Sequence, residues 1–105
     1  MNRAARNSTQ VLKAAKWIVE NVGWCQGEYS TFKNGKENAF CVEGAMRAVE
    51  VGTNFSARHI ALARLEKTIH DMTGKSSMIA FNDDKKTTKQ MVLQAFDRAI
   101  NKGTK

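Results

Sequence analysis

The side chains able to attack or to ligate are few and scattered. Cys25 or Cys41 with His59 or His70 and an acid such as Asp71 supplies the parts of a thiol nucleophile and its base. Neither cysteine sits in a nucleophile motif, and burial is the commoner state of such thiols, so no catalytic cysteine is assigned. Glu66 and His70 are spaced i, i+4 and could share an ion on one helix face, but no second pair has ligand spacing. His59 and His70 would stand about 16 Å apart along the same helix, too far to share a metal. Asp83-Asp84 could hold a cation, yet with Asn82 before it and Lys85-Lys86 after it the run reads as a turn with local charge balance. Gly35-Lys36 and Gly74-Lys75 lack the frame of a phosphate loop. No metal, no cofactor and no enzymatic activity is expected.

Charge is the loud feature. The chain has 105 residues and a formal net charge of +7. Residues 1–16 carry four basic groups and no acid, 17–74 carry six against seven, and 75–105 carry seven against three. The body is close to neutral and the excess sits toward both ends. Arg3, Arg6, Lys13 and Lys16 at one end, and Lys85, Lys86, Lys89, Arg98, Lys102 and Lys105 at the other, are candidate contacts to nucleic acid or to an acidic protein surface. Lys85, Lys86 and Lys89 would stand at a helix N-terminus, where free N–H groups also attract phosphate. No helix-turn-helix is evident, and no exposed aromatics are expected to interleave with these cations. Their alternative is a set of solvated, frayed ends, and only convergence on one face would make a binding stripe.

The elements that must position these residues form one domain, 11–101, between a basic segment 1–10 and a tail 102–105. With 42% hydrophobic residues, 26% charged and no proline, the chain is globular, with short connections between its helices. No apolar run approaches about 18 residues and no secretory signal precedes the domain, so a cytoplasmic, membrane-free protein is expected; Cys25 and Cys41 could form one disulfide, but free thiols in a reducing compartment are the expectation. Ser8 or Thr9 caps a first helix with Val11, Ala14, Ala15, Ile18 and Val22 as its stripe and Gly23 as its left-handed stop. Glu28 to Phe40 reads as a hairpin on an Asn34-Gly35 type I′ turn, pairing Lys33 with Lys36, Thr31 with Asn38 and Tyr29 with Phe40. Asn38 caps a second helix, about Cys41 to Val51, which Gly52 stops; Ser56 caps a third, with Leu62, Leu65, Ile69 and Met72 as its stripe and Gly74 at its end. Met78 to Phe81 reads as a strand joining the hairpin, followed by a turn at Asn82-Asp83-Asp84. Thr87 and Gln90 box the start of a last helix bearing Val92, Phe96, Ala99 and Ile100. The fold class is α+β, helix-dominated, with about four helices and a small antiparallel sheet.

The order Gly23-Trp24-Cys25-Gln26-Gly27, Cys41-Val42-Glu43-Gly44-Ala45 and Phe81-Asn82-Asp83, closing on Asp97-Arg98-Ala99, resembles a family of small uncharacterised bacterial and bacteriophage proteins, a domain of unknown function. The likeness runs from about Val11 to Ile100. Val42 and Phe81 stand where Leu and Trp are usual in that pattern. The resemblance implies a compact domain and a bacterial or phage source, with no activity, cofactor or substrate attached. Physically, Gly44 and Ala45 would admit a close backbone, Trp24 would anchor the core, and Gln26 and Asn82 would tie hairpin and loop by amide hydrogen bonds. The functional alternative makes Trp24, Gln26, Asn82 and Asp83 the wall of a pocket for a base or sugar. The expected role is non-enzymatic: an accessory protein docking on a host macromolecule, a protein first, in a host-takeover or anti-defence setting. DNA or RNA binding through the basic ends is the alternative, and a nucleotide or small-ligand site a further one. No oligomeric state follows.

Overall fold

The structure, a computed structural model, describes residues 4–102. Helix α1, Ser8–Asn21, starts one residue earlier than expected because Asn7 is its cap: its side-chain oxygen accepts the Gln10 N–H at 2.9 Å. Ser8 and Thr9 instead receive the guanidinium of Arg64 at 2.8 and 3.0 Å. The buried face of α1 is Val11, Leu12, Ala15 and Val19, with Val22 left 41% exposed. Gly23 is no left-handed helix stop. Its φ is +152°, and a Cβ there would stand 2.5 Å from the Asn38 carbonyl oxygen, so glycine is what lets the chain turn into contact with the hairpin.

Strands β1, Ser30–Lys33, and β2, Lys36–Phe40, form an antiparallel hairpin, with Asn34 and Gly35 at positive φ as a type I′ turn demands. Lys33 pairs with Lys36 as expected, but beyond Phe32 and Glu37 the register slips. Thr31 faces Ala39 and Ser30 faces Phe40, so neither Thr31–Asn38 nor Tyr29–Phe40 is a direct pair; Asn38 is the extra residue of a bulge, and its side chain accepts the Thr31 hydroxyl at 2.7 Å. The third segment beside the hairpin is Trp24, in a parallel bridge to Phe40: Phe40 N–H donates to Gly23 O at 3.0 Å and Cys25 N–H to Phe40 O at 3.1 Å.

Met78 to Phe81 is not a strand. It belongs to helix α4, Met78–Asp83, capped by the Ser77 hydroxyl on the Ala80 N–H at 3.0 Å. Met78, Phe81 and Asn82 are buried at i, i+3, i+4 while Ile79 is exposed, a helical face that a four-residue apolar run cannot distinguish from a strand. Asn82 and Asp83 are therefore the last turn of a helix, with Asp84 beyond it, and the helices number five among the described residues. Helix α2, Val42–Ala48, is capped by Cys41 and not Asn38: the thiol sulfur accepts the Gly44 N–H at 3.2 Å, and the helix ends before Val49 turns extended. Helix α3, Phe55–Thr73, follows Asn54, with Ser56 inside its first turn and Gly74 closing it at φ +78°. Helix α5, Lys89–Lys102, is capped by Thr88, whose hydroxyl accepts the Met91 N–H at 3.2 Å, while Thr87 is buried.

The fold is helix-dominated α+β. α1 packs against α2, α3 and α5, and α4 closes the base between α2 and α3. Leu12, Met46, Leu65, Ile69, Phe81 and Phe96 are fully buried at its centre, each contributing about 1.5–3 kcal/mol of apolar transfer. Arg64 on α3 joins the two ends of the chain, bonding Ser8 and Thr9 of α1 and the carbonyls of Ala99 and Ile100 of α5. At Gly44 the hairpin crosses α2 so closely that a Cβ would lie 2.0 Å from Tyr29 O. Gly44→Ala is expected to lower stability by at least about 2 kcal/mol, because backbone and not a flexible side chain must move; a urea midpoint equal to that of the parent protein would contradict this close crossing.

Candidate functional site

Trp24, Gln26, Asn82 and Asp83, some 56–58 residues apart in the chain, meet where α4 ends against the Gly23–Gly27 segment. Asn82 is the node, 1% exposed. Its side-chain oxygen accepts the Trp24 indole N–H at 2.7 Å and the Val42 N–H at 3.0 Å; its amide nitrogen donates to Cys25 O and to the Asp83 carboxylate, both at 3.0 Å. These four bonds use both acceptor positions and both donors of the amide. Gln26 donates to Asn82 O and Asp84 O, each at 2.9 Å, and Asp83 also accepts the Gly27 N–H at 2.9 Å. The polar edges that would read a ligand are thus turned on one another, and the unit fastens α4 to the strand-like Trp24 segment and to the first turn of α2.

Beside this unit lie the two thiols, Cys25 partly exposed and Cys41 buried. Burial first, then the neighbouring thiol and carboxylates, pushes the Cys25 pKa up; burial also pushes Cys41 up against the opposing pull of the Gly44 and Glu43 N–H groups. Among the described residues no three His, Cys, Asp or Glu side chains are placed to hold a metal ion, and no helix is long and apolar enough to cross a membrane.

The two basic ends do run side by side, since α1 and α5 pack together, and three of their cations are engaged within the molecule. Lys16 pairs with Asp97 at 2.8 Å, Lys102 with Asp71 at 3.2 Å and Lys89 with Glu20 O at 3.3 Å. The Asp97 hydrogen bond raises the Lys16 pKa. Lys85 and Lys86 are exposed in the connection ahead of α5, and Lys13 and Arg98 are exposed on α1 and α5. Arg3 and Lys105 lie outside the described residues.

A feature absent from the sequence reading is the groove of about 620 Å³ beside α1. Gln10, Ala14 and Trp17, at i, i+4, i+7, form one wall and Ala48, Val49 and Glu50 the other, with Arg6 at its margin. Ala5 N–H donates to Glu50 O at 2.7 Å and the Asn54 amide donates to Arg6 O, which pins the segment ahead of α1 to the α2–α3 connection. Trp17 is 59% exposed beside Lys13 and Lys16, so, contrary to expectation, an exposed aromatic does stand among the basic residues of this end. Its signal in the sequence was a large aromatic lying off a helical stripe already complete without it.

Removing the node should be costly. Asn82→Ala strands the Trp24, Val42 and Cys25 polar groups at once and is expected to cost about 3 kcal/mol or more, whereas Trp24→Phe, which deletes one donor and keeps most of the ring, should cost about 1–2 kcal/mol. Urea titrations giving the reverse order would refute the assignment of Asn82 as the node. At the loop beyond it, the Lys75 ammonium at 2.8 Å, then the Lys86 N–H, holds the Asp84 carboxyl below the usual carboxylate range. A folded pKa below the unfolded one contributes stability above the unfolded value that is lost as pH falls through the folded value. Asp84→Asn should therefore flatten the fall in melting temperature below about pH 4 and leave the alkaline limb alone; an unchanged acid limb would remove Asp84 from the acid response.

No curated protein and no solved structure matches this chain. The profile of a family of unknown function, DUF6197, matches residues 4–102, which takes in the Trp24–Asn82 unit, both cysteines and the Trp17 groove alike. By that coverage the chain belongs to the DUF6197 family.

Proposed function

We propose that this is a non-enzymatic binding protein that docks a host protein through the Trp17 groove. The exposed Trp17 at that groove carries the reading, because a half-exposed tryptophan beside a cleft is the side chain that most often dominates a protein interface. Lys13, one turn before Trp17 on the same face, and Arg6 at the margin have no acidic partner among the described residues, so they favour a partner segment with an apolar anchor and acidic flanks. Glu50 on the opposite wall offers one acceptor to that segment. The resemblance to small bacterial and bacteriophage proteins favours a bacterial cytoplasm as the setting and host takeover or anti-defence as the role.

DNA or RNA binding is the less supported alternative, since Lys16, Lys89 and Lys102 are engaged internally and Arg98 stands roughly 13 Å along α5 from Lys89. The test is affinity purification from host cells with the tagged parent protein and its Trp17→Ala variant, followed by titration of the recovered partner. A protein partner whose Kd weakens about thirtyfold or more with Trp17→Ala is expected. Co-purifying nucleic acid released by salt, or a partner indifferent to Trp17→Ala at unchanged circular dichroism, would overturn the reading.

A further inference from the structure

Cys25 and Cys41 are sixteen positions apart in sequence and neighbours in space. The isolated parallel bridge joins Trp24 to Phe40, so Cys25 and Cys41 each follow directly on a bridged residue, on the same side of the two chains. Bridged strands lie about 4.8 Å apart, and the two thiols one step beyond that bridge are close enough for Cys41 to act on the charge of Cys25, which places them near the roughly 4.4–6.8 Å that Cα atoms need for a disulfide. One step beyond the bridge the Asn82 amide takes the place of the ladder bond, donating to Cys25 O and accepting from Val42 N–H, and so ties both cysteine segments to one side chain. The thiols differ in access: Cys25 is partly exposed and bonds only weakly to Glu28 O at 3.5 Å, whereas Cys41 is buried and caps α2.

We propose that Cys25 and Cys41 are a reversible dithiol site, oxidised by small disulfides with Cys25 as the attacking thiol and Cys41 as the resolving one. The Cys25 thiolate attacks one sulfur of oxidised glutathione, forming a mixed disulfide and expelling one glutathione thiolate. Cys41 then attacks the Cys25 sulfur and expels the second. Two protein thiols are oxidised, one small disulfide is reduced to two thiols, and the two thiol protons pass to the leaving thiolates. Burial of both thiols and the carboxylates of Glu28, Glu43 and Asp83 near them keep the pair protonated at neutral pH, so the exchange runs faster in mildly alkaline buffer.

The experiment treats the folded full chain with oxidised glutathione at mildly alkaline pH and reads intact mass and linked peptides. The expected product is a monomer about 2 Da lighter with Cys25 joined to Cys41. Cys41→Ser, which keeps a capping oxygen for α2, is expected to hold a lasting glutathione adduct on Cys25, and Cys25→Ser to stay unmodified while folded. A lasting adduct on the parent protein, a covalent dimer as its main product, or no modification of Cys25 in Cys41→Ser would each overturn the proposal.

Discussion

A single carboxamide holds three otherwise separate pieces of chain together. Asn82 satisfies all four of its side-chain hydrogen-bonding positions with the Trp24 indole, the Val42 N–H, the Cys25 carbonyl and the Asp83 carboxylate. The Trp24 segment has no helix or full strand of its own, and α2 and α4 are too short to hold themselves by backbone bonds alone. Burial of a group with four hydrogen-bonding demands penalises any arrangement that misses one of them, so this contact specifies the base of the fold as well as stabilising it.

That dependence explains why some of the structure was legible in the sequence and some was not. The Asn34-Gly35 turn is decided by two adjacent residues that tolerate positive φ, and the existence of α3 by its apolar period; both are local facts, although Leu65 and Ile69 share the buried face with Ala57, Ala61 and Thr68 while Leu62 and Met72 are only partly covered. The register above the turn is not local: the bulge at Asn38 brings its carbonyl close to Gly23, on a segment outside the hairpin. α4 is not legible because its apolar run is too short for its period to show, and the residue that settles the matter, Asn82, takes three of its four partners from 40 to 58 positions away.

The candidate sites divide the same way. Trp24, Gln26, Asn82 and Asp83 could be singled out as a group from their types and the family-like order, yet only the packed chain shows that they face one another. The groove at Trp17 is not legible in the sequence because its lining comes from three separate segments, and only the packed chain brings Ala5, Ala48 and Glu50 beside Trp17. The basic ends looked like one electrostatic feature, but folding divides them into cations engaged by Asp97, Asp71 and Glu20 and cations left facing water.

Arg64 ties both ends of the chain to one guanidinium, with the start of α1 on one side and the last turn of α5 on the other. Its positive charge also lies at the carboxyl end of α5, where the helix dipole favours a cation. The described chain is in this sense nearly a ring. Displacing that one guanidinium would loosen the first turn of α1 and the last turn of α5 together, so the two outer helices share a single fastening on α3.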